Sequence, residues 1–506
     1  MKDGFTMPAP STPEGPGDGV SLSSSRRALL ARRLAYRPPL AEGAPAPRDA
    51  PGPEDAAAPP IDEFPLSAGQ ERVWFLQRFD PSDASFNIFV TERLRGPLDT
   101  GALGRALDAI VARHGTLRTR FRGEGRPVQQ VMPATPLPVE HLDLSALPAA
   151  DRERRARELV AERTNRPFDL GRAPLLRVSL IRLSAREHVL CLVVHHIVAD
   201  GWSLTVLYRE LATLYEAFRE GLPSPLPELP LQYADHVRAP RDDEAAGLAY
   251  WKERLAGLPT LDLPADRPRP AVRTSRGDVH VLRVPLEVAE GVERVARAHR
   301  CTPFMTLLAA YEVLLCRHTG QAGFAVGTSI AGRADPDLEP VIGFFSSTLV
   351  LRADLDGDPS FADLLRRVRK DALGAYGHQA VPFERLLPEL RIPRDLSRTP
   401  LFQTMFIQQN QADTGHGRLA LGGLEVEPFD PGFRYSKMDL SVDVTRDAEG
   451  LFAAFTYNTD LFDAPAIARL ARRYERVLRS VVADPAERVS RLSFLPPDER
   501  EEITRA

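Results

Sequence analysis

Hydrophobic positions along the chain switch between helical and strand spacing, and no repeat of fixed length connects them. Apolar residues recur every three or four positions over 101–114, which predicts an amphipathic helix. The run EHVLCLVV at 187–194 is nearly all apolar, as is typical of a strand covered on both faces. Helical spacing returns over 204–218, with Ser203 as the predicted N-cap. The mixture predicts an α+β fold.

Two proline-rich stretches, at 221–230 and 263–277, separate this first set of elements from a second one. The second set again mixes strands and helices, including a long apolar helix that we expect to end at Gly320. We therefore predict two lobes, at residues 61–235 and 236–485.

The two ends of the chain differ in composition from these lobes. Residues 1–60 are rich in Pro, Gly, Ser and Ala, which predicts a disordered or linker segment with a short basic helix at 23–35. Residues 486–506 are polar and lack a core of their own, so we expect them to connect to another domain.

Composition excludes several classes of protein. The 506 residues are 43% hydrophobic and 26% charged, and the net charge of −4 offers no general attraction to nucleic acid or anionic lipid. Three cysteines without paired spacing argue against disulfides and zinc, and they fit a reducing cytoplasm. Neither a membrane-spanning apolar run nor a signal peptide is present, which predicts a cytoplasmic protein.

The stretch VVHHIVADGWS at 193–203 carries the candidate chemistry. His195 and His196 end the apolar strand, and Asp200 and Gly201 occupy the turn before the next helix. Neighbouring strand residues point to opposite faces, which disfavours joint metal binding by the two imidazoles. Three other interpretations remain: a general base for acyl transfer, the H-x4-D spacing of glycerolipid acyltransferases, and two hydrogen-bonded core histidines. The clustering of two His, an Asp and a Gly favours a site, and imidazole titrates near neutral pH.

The acidic residue and the glycine of this stretch have simpler expected roles. Asp200 is expected to form a buried ion pair with an arginine and so to hold the loop. Gly201 would let the backbone approach a substrate, or would adopt a positive φ.

The stretch HHIVADGWS resembles the HHxxxDG motif of condensation domains from non-ribosomal peptide synthetases. Further segments resemble the other motifs of that family in the family's order. They are LSAGQERVWFL (66–76), RHGTLRTRF (113–121), YADHVRA (233–239), IGFFSSTLVLR (342–352), HQAVPFERL (378–386) and RDLSRTPLFQTMF (394–406). The resemblance covers about residues 62–485.

The resemblance implies two chloramphenicol-acetyltransferase-like lobes in a V-shaped pseudodimer, with a tunnel between them. It implies peptide-bond formation between thioesters held on the 4'-phosphopantetheine arms of an upstream and a downstream carrier protein. An adenylation domain is expected to adjoin the chain. No cofactor or metal is expected in the domain itself, and neither a nucleic-acid nor a membrane partner.

The resemblance also implies roles for single residues. His196 would lie at the middle of the tunnel, as general base or as the group that orients the amine. His195 and Asp200 would be chiefly structural, and the N–H of Gly201 would aid the tetrahedral oxyanion.

Further residues are expected to support this site. An arginine of the second motif pairs with the motif Asp in the family, which points to Arg118, with Arg113 as the alternative. Trp202 and Ser203 complete the motif as supporting residues.

The chain departs from the family pattern at positions expected to line or support the tunnel, namely Ser346, Ser347 and Ala380. One hypothesis is an unusual donor or acceptor; neutral drift explains the same departures. Two alternative functions on the same fold are an epimerisation domain and a non-catalytic recruitment domain. The intact His motif argues against the second.

Overall fold

The computed structural model describes residues 59–505, with gaps at 124, 240–243, 334, 393–394, 410–418 and 433. The helix predicted at 23–35 lies outside the described residues. No helix in the described part is long and apolar enough to cross a bilayer.

The described residues form fifteen strands and twelve α-helices, as follows. The strands are β1 (Asp62–Pro65), β2 (Asn87–Arg95), β3 (Thr119–Arg122), β4 (Val128–Val131), β5 (Val139–Asp143), β6 (Leu176–Ser184), β7 (Glu187–His195), β8 (Arg276–Pro285), β9 (Gly323–Ile330), β10 (Ser347–Asp354), β11 (Thr404–Gln409), β12 (Glu425–Pro428), β13 (Arg434–Tyr435), β14 (Leu440–Asp447) and β15 (Gly450–Asn458). The helices are α1 (Ala68–Phe79), α2 (Thr100–Arg113), α3 (Ala149–Thr164), α4 (Gly201–Arg219), α5 (Tyr233–Arg238), α6 (Glu244–Leu255), α7 (Leu286–Ala298), α8 (Pro303–Thr319), α9 (Phe361–Gly377), α10 (Phe383–Glu389), α11 (Ala464–Ala483) and α12 (Pro497–Arg505).

The first half of the chain builds a five-stranded sheet of order β12-β2-β7-β6-β5. The apolar strand β7 pairs antiparallel with β2 and β6, and every residue of it except Glu187 is buried. Helix α3 packs on β6 and β7, and α2 packs against α4. The edge strand β12 comes from the second half of the chain and pairs with β2.

The second half builds a seven-stranded sheet of order β10-β9-β11-β14-β15-β8-β13 around a separate hydrophobic core. Helix α8 is almost wholly buried there and ends at Gly320, whose φ of 76° is left-handed as expected for a terminal glycine. After residue 485 the chain still packs on this core through Val489, Leu492 and Phe494. The predicted lobe boundaries stay a prediction, as does the V shape.

A small cluster joins the two halves. Phe64, Val131, Tyr233 and Phe345 pack together, and they come from β1, β4, α5 and the loop between β9 and β10. This contact places residues 331–333 and 335–346 of the second half beside the turn that follows β7. The position of the candidate site thus depends on how the halves dock.

Candidate active site at the end of strand β7

Strand β7 ends at His195, and the turn after it leads into α4. Asp200 is the N-cap of α4, because its Oδ1 accepts from the backbone N–H of Ser203 at 2.9 Å in extended backbone geometry. The prediction of Ser203 as N-cap was therefore wrong. Ser203 is the third residue of the helix, where its N–H needs an acceptor.

His195 is fully buried, and both of its ring nitrogens are hydrogen bonded. Nδ1 accepts from the N–H of Ile197 at 3.2 Å, so Nε2 carries the proton and donates to Oε1 of Gln77 at 3.2 Å. Burial lowers its pKa to about 3, with the neighbouring His196 and Lys437 contributing. This imidazole is neutral and has no free lone pair.

His196 is held in the opposite tautomer. Its Nδ1–H donates to the carbonyl of Ala199 at 2.9 Å, which leaves Nε2 as an unprotonated acceptor. The ring lies edge-on to Phe344, with centroids 4.8 Å apart, and it remains partly accessible. Burial and the charge of Lys437 lower its pKa to about 4. His196 therefore presents a lone pair to an accessible space.

Asp200 anchors this turn to the second half of the chain. Its carboxylate pairs with the guanidinium of Arg333 through contacts of 3.0 and 3.1 Å, and both side chains are 1% exposed. Its Oδ2 also accepts from the N–H groups of Phe345 and Ser346, at 3.1 and 3.0 Å. The expected buried Asp–Arg pair is present and spans the two halves.

The predicted partners of Asp200 were wrong. Arg118 donates instead to the carbonyl of Met132. Arg113 pairs with the buried carboxylate of Glu210 at 3.0 Å. Both arginines lie within the first half, whereas the partner Arg333 follows β9 in the second half.

The rest of the motif supports the turn. Ser203 Oγ lies 2.7 Å from Asp200 Oδ1 and 2.9 Å from the carbonyl oxygen of Gly343. Trp202 donates its indole N–H to the carbonyl of Glu339 at 2.9 Å. Gly201 is exposed with open space around its Cα, and its φ is not positive, so the suggestion of a left-handed glycine was wrong.

Ser346, Ser347 and Ala380, the three departures from the family pattern, lie in different surroundings in the structure. Ser346 reaches the site through its backbone, as described above, and Ser347 begins β10 opposite Ile330. Ala380 is exposed in the turn after α9. A role for any of them in lining a tunnel stays a prediction.

Sequence reasoning missed Arg333, Gln77 and Lys437. The ammonium of Lys437 lies 5.2 Å from the ring centre of Phe86, whose carbonyl accepts the N–H of His196 at 2.8 Å. No local pattern points to these residues, because each one reaches the turn from a distant segment. Within the described residues, no three His, Cys, Asp or Glu side chains are grouped to hold a metal ion.

Comparison with known proteins identifies the family. The Condensation domain model matches residues 61–504. The chain belongs to the condensation-domain family. The resemblance drawn from the motifs is thereby confirmed.

Named relatives are synthases and synthetases that are much longer than this chain. A linear gramicidin synthase of Brevibacillus parabrevis is 42% identical over 454 residues, which cover 88% of this chain and 6% of the synthase. Chondramide synthase cmdD of Chondromyces crocatus is 42% identical over 452 residues, which cover 88% of this chain and 12% of that protein. The chain thus spans a small fraction of these relatives.

Solved structures share the fold. The X-domain from teicoplanin biosynthesis is 32% identical, with a TM-score of 0.76 over 89% of this chain and 100% of that one. The first condensation domain of the CDA synthetase is 26% identical, with a TM-score of 0.67 over 86% of this chain and 100% of that one. The predicted α+β class is confirmed. Another structure pairs the teicoplanin X-domain with OxyB.

Proposed function

We propose that this domain joins two carrier-bound thioesters by an amide bond, as one step of non-ribosomal peptide synthesis. The observation that carries the proposal is the Nε2 lone pair of His196, which accepts no hydrogen bond from the described residues and belongs to a tautomer set by the Nδ1–H bond to Ala199. The same reaction is supported by the match of this chain to the condensation-domain family and by its similarity to a tripeptide synthetase.

In the proposed reaction the α-amine of the downstream aminoacyl group attacks the carbonyl carbon of the upstream thioester. His196 Nε2 accepts a hydrogen bond from the amine and so orients its lone pair. As the C–N bond forms, the nitrogen becomes positively charged and its proton moves to Nε2. The C–S bond then breaks, and the proton passes to the departing sulfur of the upstream phosphopantetheine arm.

The other motif residues would act on geometry and charge. His195 holds the end of β7 from within the core, and the Asp200–Arg333 pair holds the turn against the second half. The N–H of Gly201 begins α4 and lacks an acceptor within the helix, so it is suited to the tetrahedral oxyanion. Because a thioester is already activated, no covalent enzyme intermediate is needed, and positioning contributes much of the acceleration.

The test is condensation between two loaded carrier proteins, with the product followed on the downstream carrier. We expect His196→Ala to be slower by about 10²-fold, the low end of a general-base effect. His188→Ala is the control, because it also removes one imidazole but lies near the start of β7, at the other end of the strand from the turn that holds His196. Circular dichroism of both variants, compared with the wild type, tests whether they fold.

A second candidate function is recruitment of a partner protein without catalysis, favoured by the likeness to an X-domain solved with OxyB. Failure of the wild type to form product with both aminoacyl and fatty-acyl donors would favour recruitment. Equal product from wild type and His196→Ala would mean that His196 only shapes the site.

A further inference from the structure

Lys437 faces the histidine turn from the second half of the chain. Its ammonium lies over the ring of Phe86, 5.2 Å from the ring centre. The backbone carbonyl of the same Phe86 accepts the N–H of His196 at 2.8 Å, and its ring lies 6.2 Å from the ring of His195. One phenylalanine therefore brings the lysine and both histidines together.

The backbone on both sides of Lys437 is firmly held. The N–H of Ser436 donates to the carbonyl of Ser275 at 3.0 Å, and Arg273 donates to the carbonyl of Lys437 itself. Two residues later, Asp439 pairs with Arg269 at 2.6 Å and is fully buried. Lys437 is nevertheless accessible to solvent, although the protein around its ammonium is dense enough to desolvate the charge in part.

The charge of Lys437 is not compensated by a close ion pair among the described residues. The charged groups that influence it are Arg72, Asp83 and Arg273, which lie on α1, on the loop after α1 and ahead of β8. Burial lowers the pKa of its ammonium to about 8, with Arg72 and Arg273 adding to the effect and Asp83 opposing it. Below that pH the lysine is a cation over the ring of Phe86, and its charge acts on both His195 and His196.

We propose that Lys437 is a positioning residue that keeps His196 in its neutral, proton-accepting form. The inference rests on the proposed role of His196. Burial is the largest cause that disfavours a second ring proton on His196, and two charged groups act on the ring in opposite senses: Lys437 disfavours that proton, and Asp200 favours it. The charge of Asp200 is already matched by Arg333 at 3.0 Å, so the uncompensated cation prevails.

A purely structural lysine predicts something different. If Lys437 served only to hold its segment, a neutral replacement would lower the unfolding temperature. The pKa of His196 would stay unchanged. Because its charge has no close counter-ion among the described residues and is partly desolvated, we expect Lys437→Met to leave that temperature unchanged or to raise it.

The experiment follows the imidazole directly by NMR of protein labelled in its histidines, with His196→Ala identifying the resonance. The wild type, Lys437→Met and Lys437→Arg are titrated downward from about pH 7.5. We expect the midpoint of His196 to rise by about one pH unit in Lys437→Met and to stay in place in Lys437→Arg, which keeps the charge. Lys437→Gln is a second neutral variant should the methionine variant fold poorly.

An unchanged His196 midpoint in the neutral variants would overturn the inference, even if those variants lost condensation activity. The NMR readout does not depend on turnover. A shifted midpoint in a protein that condenses no substrate would therefore support the Lys437–His196 coupling while contradicting the proposed function.

Discussion

The buried pair of Asp200 and Arg333 allows a quantitative prediction about how the halves are joined. Replacing Arg333 by Met removes the guanidinium and retains much of the volume of the side chain. Asp200 then keeps only its bonds to N–H groups and to the hydroxyl of Ser203. Its carboxylate stays buried at 1% exposure without a counter-charge.

The expected loss follows from this uncompensated charge. Removing one partner of a buried ion pair lowers the free energy of unfolding by about 3–5 kcal/mol. In an Asp200→Asn background the same Arg333→Met change should cost about 2 kcal/mol less, because no carboxylate is left unpaired. The difference between the two backgrounds measures the coupling of the pair.

Arg238 and Asp62 provide a matched control. They form another two-contact Arg–Asp pair, at 3.0 and 2.5 Å, and Arg238 also lies over a phenylalanine ring. Their side chains are 44% and 35% exposed, so the pair differs from Arg333–Asp200 chiefly in burial. Because exposed pairs contribute little, Arg238→Met should cost about 0–1 kcal/mol.

The assay is urea unfolding followed by circular dichroism and by tryptophan fluorescence. Trp202 lies 5.7 Å from the guanidinium carbon of Arg333 and is one reporter of the junction. Coincidence of the two transitions tests whether one free energy describes the chain, which has two cores. A cost below about 1 kcal/mol for Arg333→Met, or an equal cost in both backgrounds, would refute the reasoning.

Two further predictions concern the same region. Gly332 has a φ of +67°, and a Cβ there would overlap the carbonyl oxygen of Phe345, so Gly332→Ala should cost about 2–4 kcal/mol in urea unfolding. Gly257→Ala is the control for the effect of φ alone, because Gly257 has a φ of +68° and open space where a Cβ would lie. An equal cost at both glycines would contradict the idea that steric overlap with Phe345 destabilises Gly332→Ala. The pKa of His195 is lowered to about 3, so between about pH 6.5 and pH 3 the unfolded chain binds a proton that the folded chain excludes. The free energy of unfolding therefore falls by about 1.4 kcal/mol for each pH unit below about 6.5. His195→Gln should reduce that slope between about pH 7 and pH 5, and an unchanged slope would show that other groups dominate.

Local sequence patterns determined much of the fold and part of the site. The helical spacing at 101–114 corresponds to α2, and the apolar run at 187–194 to β7. These patterns are reliable because a helix or strand must bury one face or both wherever it lies. The alternation of strand side chains also anticipated that His195 and His196 have different surroundings, one buried and one accessible.

Only the tertiary structure decided which charges act on those histidines. Arg333 is 133 residues away from Asp200 along the chain, and Lys437 is still more distant from His196. The motif indicated that Asp200 needs an arginine, and it led to Arg118 or Arg113 on the same half. The partner is instead Arg333, because the loop between β9 and β10 docks beside the turn after β7. No local spacing in the sequence encodes this contact between the two halves. A short-range pattern specifies which groups need partners, and long-range packing determines which residues supply them.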